Sequence, residues 1–195
     1  MKNKAKDLRL ATIRAEEKFE RDVRRKIRNG ADINTRNKWG ETFLHKAIWR
    51  DRPALIEFLI ERGADVNAKD GQGWTPLHCV IANKGGTKGG AYDLTKYLLD
   101  HGADVKAKIQ DKDNPLHLAA WFDDTRLVRL LIERGADVYD DQGEQGTPLQ
   151  TAQYFGKRKV ARFLEDYIHE SKTAGPKKVA SWRRKVQGQG IELQR

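Results

Sequence analysis

Apolar residues return along this chain at helical intervals in four segments. Leu55, Ile56, Phe58 and Leu59 form the first, and Leu94, Tyr97 and Leu98 the second. Leu127, Val128, Leu130 and Leu131 form the third, and Val160, Phe163 and Leu164 the last. Spacings of three and four residues mark one buried helix face and not a strand. Ahead of each segment a shorter apolar face begins, at Leu44, Leu77, Leu116 and Leu149. The pattern therefore predicts pairs of helices, a short one followed by a longer one. Gly30, Gly63, Gly102 and Gly135 each follow an apolar-periodic segment, where a helix needs a left-handed residue to stop. Thr42, Thr75 and Thr147 stand where a hydroxyl caps the next helix, with Pro76 and Pro148 in its first turn. No pair can bury its own face, so the four must stack into one elongated core.

The segments between the helices repeat as well. GADVNAKDGQGWTPLH from Gly63 has degenerate copies in GADINTRNKWGETFLH from Gly30, GADVKAKIQDKDNPLH from Gly102 and GADVYDDQGEQGTPLQ from Gly135. The glycine-to-glycine intervals are 33, 39 and 33 residues. A 33-residue period with a TPLH signature resembles the ankyrin repeat, from Gly30 to about Glu170. The resemblance implies an all-α solenoid of stacked helix-turn-helix units joined by β-hairpin-like loops. Its repeats would span 30–62, 63–101, 102–134 and 135–170. Asp70–Gly71 marks the tip of one such hairpin.

The two ends read differently from the repeats. Residues 1–29 contain neither proline nor glycine, and Leu8, Ile13, Phe19, Val23 and Ile27 fall at mostly helical intervals. They predict one long amphipathic helix, uninterrupted over 6–28, whose basic outer face caps the stack. Residues 171–195 leave the repeat phase at Gly175–Pro176 and read as a flexible, basic tail. Lys177 and Lys178, then Arg183, Arg184 and Lys185, flank Trp182 there. A solvated end is the plain reading of these charges. A nuclear import signal, a contact with an acidic partner or nucleic acid, and an export signal used by an effector that enters a host cell are the alternatives. A lone tryptophan in a polar tail suggests that it docks somewhere.

The net charge of +10 is distributed unevenly. Residues 1–29 carry +6, residues 30–170 carry −2 and residues 171–195 carry +6. A polyanion-binding groove along the nearly neutral repeats is disfavoured, whereas a basic tail leaves contact with acidic surfaces open. The single cysteine, Cys79, sits at a core helix position and reads as a buried apolar residue in a reducing compartment. No stretch has the length and apolarity of a secretory or membrane-spanning segment, and no lipidation box ends the chain. The expected compartment is cytoplasmic, and the chain is expected to be a monomer without membrane contact.

Candidate chemistry fails on spacing. His45, His78 and His117 occupy equivalent positions in successive units, about 8–10 Å apart on stacking, too far to share a zinc ion bound at about 2.0–2.1 Å. The resemblance implies instead that they hydrogen-bond backbone near the hairpins. Asp111 and Asp113 begin like a calcium loop, but Leu116 and Phe122 stand where glycine and glutamate are required. The 39-residue interval holds six extra residues within KGGTKGGA, Lys84 to Ala91, a glycine-rich excursion that lacks the phosphate-binding spacing. No catalytic set, metal site or cofactor is expected, and the chain reads as no enzyme.

The resemblance implies a binding surface at the hairpin tips and at the exposed ends of the first helices. Transferred by alignment, the tips hold Trp39 and Trp74, and the helix ends hold Trp49 and Arg50, Trp121 and Phe122, and Tyr154 and Phe155. Four of the five tryptophans fall on these positions. Phe155 is the best candidate for a packing role. Trp39, Trp49, Trp74 and Trp121 read as contacts for a protein partner, because exposed apolar patches mark interaction sites and tryptophan dominates interface hot spots.

Overall fold

The computed structural model describes residues 2–83 and 90–173. Nine helices make up its regular structure: α1 (Lys2–Arg28), α2 (Phe43–Trp49), α3 (Pro53–Glu61), α4 (Pro76–Ala82), α5 (Gly90–Asp100), α6 (Pro115–Trp121), α7 (Thr125–Glu133), α8 (Pro148–Tyr154) and α9 (Arg158–Thr173). Among the described residues there is no strand, only a single bridge between Gly143 and Gly146. The all-α reading holds. The first helices stack in order, α2 on α4, α4 on α6 and α6 on α8, while α5 packs on α7 and α7 on α9 behind them. Leu44, Leu77 and Leu116 from the front layer and Leu55, Leu59, Leu98, Leu127 and Leu164 from the back layer fill one continuous core, all fully buried or within 1% of it.

The helix starts follow capping chemistry. The Thr42, Thr75 and Asn114 N–H groups donate to Nδ1 of His45, His78 and His117, at 3.2, 3.2 and 3.3 Å. Asn114 takes the place of threonine, and its Oδ1 accepts from the N–H groups of Leu116 and His117. In the last unit Gln150 replaces the histidine, its Oε1 accepting from the Thr147 N–H at 2.8 Å. With Nδ1 accepting, Nε2 carries the proton and donates into the next unit. His45 reaches the Trp74 carbonyl at 3.0 Å, and His117 the carbonyls of Asp140 and Gly146 at 3.1 and 2.9 Å. Within a pair, the chain turns from front to back helix on a left-handed residue: Asp51, Asp123 or Gly156.

The tips stack on one another through glycine. Gly71 N–H donates to the Trp39 carbonyl at 2.9 Å, and Gln110 N–H to the Gln72 carbonyl at 3.1 Å. A Cβ on Gly40, whose φ is +79°, would lie 2.6 Å from the Gly71 nitrogen, so this contact admits no side chain.

α1 closes the amino-terminal end. Val23 is buried against the core, with Phe19 and Ile27 packed beside it. Glu20 sits between Arg24 at 2.9 Å and Arg52 at 3.0 Å, and the Arg24 guanidinium also donates to the Ala54 carbonyl and lies over the Phe58 ring. Burial works against the Glu20 charge, but the two guanidinium groups outweigh it and hold its carboxyl below the usual range. The back helix of the last unit, α9, runs three residues beyond position 170, to Thr173.

Burial pushes the imidazoles of His45 and His78 down, His78 to about 4. Loss of solvation outweighs the Ala107 backbone and the Asp70 and Asp104 carboxylates, which favour the charged His78 ring. Below the unfolded value near 6.5 the unfolded chain binds protons that the folded one refuses. Stability is thus full above that pH and falls as pH drops toward 4, with His78 alone adding a slope of up to about 1.4 kcal/mol per pH unit. The urea midpoint is expected to fall between pH 7 and pH 5, and His78→Gln, copying the cap that Gln150 already makes, should flatten that slope. An unchanged midpoint over this range would contradict it.

Candidate partner-binding face

The last residue of each front helix recurs at one structural position: Trp49, Ala82, Trp121 and Tyr154. The next position holds Arg50, Asn83, Phe122 and Phe155. Core volume ahead of them is taken by fully buried Ala47, Ile48, Ala119, Ala120 and Ala152, so rings at the helix ends have nowhere to go but outward. Trp49 and Trp121 are each 42% exposed and Tyr154 is 70% exposed. Phe155, at 39%, is also open.

The rings gather in two groups. Trp121 stacks on Phe122 and Phe155, with centroids 5.3 and 5.4 Å apart, and Tyr154 meets Phe155 edge-on at 5.0 Å. Phe155 thus packs, as its position suggested, and still shows a face to solvent. Trp49 lies 6.3 Å from Trp74, which is half-buried and 6.1 Å from the His78 ring. Ala82 and Asn83 place no ring between the groups. Asn83 uses its side-chain amide to bind the Ile48 carbonyl of the preceding unit at 2.8 Å. Trp39 stands apart on the first tip, 62% exposed, with the Lys38 ammonium 4.3 Å from its ring centre.

Arg50 has a different environment from its neighbours. Its guanidinium pairs with Glu16 at 3.1 Å and lies 4.4 Å over the Phe19 ring, so α1 holds it. The expected tail contacts Lys177, Lys178, Trp182, Arg183, Arg184 and Lys185 lie outside the described residues, as does most of the 84–91 insertion, whose last two residues open α5. Alignment to tip and helix-end positions gave no reason to single out Tyr139, which is 50% exposed beside the fourth tip. Its signal was only an aromatic residue where the other units have asparagine or lysine.

Charge along the tips also changes sign. The first tip carries Arg36 and Lys38 against Glu41, whereas the fourth carries Asp140, Asp141 and Glu144 without a base. Lys108 of the third tip reaches Asp140 at 2.9 Å and, with the Asn114 amide, holds its carboxyl below the usual range against the opposing effect of burial. On the other side of the molecule, α3 and α5 leave a cleft of about 300 Å³ floored by Pro53, Leu94 and Tyr97 and edged by Asp51, Glu57 and Asp93. Among the described residues no three histidine, cysteine or carboxylate side chains converge as a metal site would require. Nor is any described helix long and apolar enough to cross a membrane.

A family model of ankyrin repeats in three copies matches residues 13–109 and 86–173. The chain belongs to the ankyrin-repeat family. It is 42% identical over 60 residues to the mouse RelA-associated inhibitor, a match that covers 31% of this chain and 7% of that protein. It is 38% identical over 50 residues to the potassium channel AKT1 of rice, in both the indica and japonica subspecies, covering 26% of this chain and 5% of the channel. The matched stretches are therefore a small part of those proteins. In ankyrin-repeat terms, the exposed rings lie on the first helices and tips, and the acidic cleft lies on the second helices.

Solvent access separates the four tryptophans within the repeats. Acrylamide should quench Trp39, Trp49 and Trp121 strongly and Trp74 weakly, read from variants in which each in turn is replaced by phenylalanine. Loss of the most quenchable component in Trp74→Phe would contradict the arrangement.

Proposed function

We propose that the protein is a non-catalytic interaction module, and that its first-helix face and tips hold a protein or peptide partner. Ankyrin repeats generally mediate protein–protein interaction. The observation that carries the reading is the recurrence of exposed large rings at one position of successive repeats, Trp49, Trp121 and Tyr154. Aromatic groups of this size bury large apolar areas and dominate interface energetics. The repeat body is close to neutral, so apolar contact and not charge would supply most of the affinity. The mouse relative is named for an association with RelA, and the proposal gives the shared stretch the same kind of role, association, with a partner of its own. A cytoplasmic setting fits Cys79, which is buried and whose thiol burial pushes up, away from the reactive thiolate.

The test begins with peptides displayed on phage and selected on the immobilised full chain. The binder obtained is then titrated against the unchanged chain, Trp39→Ala and Trp121→Ala. Each variant is expected to lose about 2 kcal/mol of binding. Trp39→Ala should keep its stability, and Trp121→Ala should lose only about 1 kcal/mol from its ring stacks. A packing role predicts the reverse, a stability loss of roughly 3–5 kcal/mol with unchanged binding by the folded fraction.

A further inference from the structure

The chain leaves α9 beside the exposed ring of Tyr139 and near the carboxylates of the fourth tip and of α9. α9 ends at Thr173, and the Ser171 hydroxyl lies 3.1 Å from the Tyr139 hydroxyl, which fixes the exit against the base of the fourth tip. On that tip Asp140 is committed to Lys108. Asp141 and Glu144 are exposed and form no ion pair among the described residues. Glu165, Asp166 and Glu170 outnumber Lys172 on the exposed part of the last turns of α9, where the helix dipole adds negative potential. From the tip, α8 runs about 10 Å to Tyr154 and Phe155, which meet Trp121 of the preceding repeat.

The segment that follows is the electrostatic complement of this surface. Residues 174–195 carry six lysine and arginine residues against the single acid Glu192, and they hold the one tryptophan outside the repeats. Four residues carry the chain from Lys178 to Trp182, a span of up to about 14 Å. The direct line from the tip along α8 and across one repeat is also about 14 Å. A tethered segment of this length meets the surface at an effective concentration near the millimolar range, which a second copy or a free partner reaches only when abundant.

We infer that residues 177–185 dock in cis on the fourth repeat, with Lys177 and Lys178 against Asp141 and Glu144, and Trp182 on the rings of Trp121, Phe155 and Tyr154. This segment of the same chain then competes with a partner for this half of the face. The inference rests on the reading of that face as a docking surface.

Carbodiimide coupling of the full chain tests it, since the reagent joins an amine to a carboxylate only where the two already touch. Peptide mass spectrometry of the monomer should show Lys177 or Lys178 joined to Asp141 or Glu144. The yield should fall roughly tenfold in Trp182→Ala, the effect of losing one hot-spot ring, and recover in Trp182→Phe. Circular dichroism checks that each variant is folded. Links to Glu57 and Asp93 on the second-helix side as frequent as those to the fourth tip would overturn the inference. So would links confined to dimers, or a yield indifferent to Trp182. No partner is present in this experiment, so a negative result removes the cis contact alone. Partner binding by the face stands or falls on the titration of Trp39→Ala and Trp121→Ala.

Discussion

The imidazole at the third position of α2 and of α6 joins one repeat to the next because it satisfies backbone groups that stacking would otherwise bury unpaired. Nδ1 takes the N–H at the helix start, and Nε2 of His45 and His117 gives its proton to carbonyls of the following unit. An unpaired buried backbone group costs about 1–3 kcal/mol, so the joint fixes where each tip must lie. Gly40 and Gly71 then let neighbouring tips touch backbone to backbone. The arrangement works only while the ring is neutral, and burial keeps His45 and His78 so.

The aromatic face follows from this geometry. Once the joints set the repeat spacing, small and aliphatic residues fill the inner turns of α2, α4, α6 and α8. The final residue of each helix is left outside the core, in register with its counterparts. Trp49, Trp121 and Tyr154 are in line for the same reason that His45, His78 and His117 are. Ala82 puts no ring between the two groups, and Asn83 beside it binds the Ile48 carbonyl of the preceding unit. Towards the amino terminus, α1 covers what would be an open core edge, held by Glu16 to Arg50, by Glu20 to Arg52 and by Arg24 to the Ala54 carbonyl.

The repeat architecture was legible because its constraints are local and recur. A left-handed glycine, a capping hydroxyl and a helical apolar stripe each leave a mark in sequence at a fixed distance from the others. Asn114 leaves no such mark, because an amide caps as well as a hydroxyl does and breaks the run of threonines. Arg50 was legible as a groove position but not as a partner of α1, since its contacts with Glu16 and Phe19 cross more than thirty residues without any periodic signal. Trp74 illustrates the same limit. Its tip position was clear, whereas its partial burial depends on the approach of Trp49 from the preceding repeat. The aromatic group around Trp121 was visible residue by residue, and only the stacking of the third and fourth repeats brings Phe155 onto it.

Hydrogen exchange on the full chain, with and without a peptide selected on it, tests the central claim most directly, because it reads every face in one measurement. Slowed exchange is expected at the first tip around Trp39 and at the ends of α2, α6 and α8, with α3 and α5 unchanged. Protection concentrated on α3 and α5, beside the acidic cleft, with the front helix ends unaffected, would contradict it.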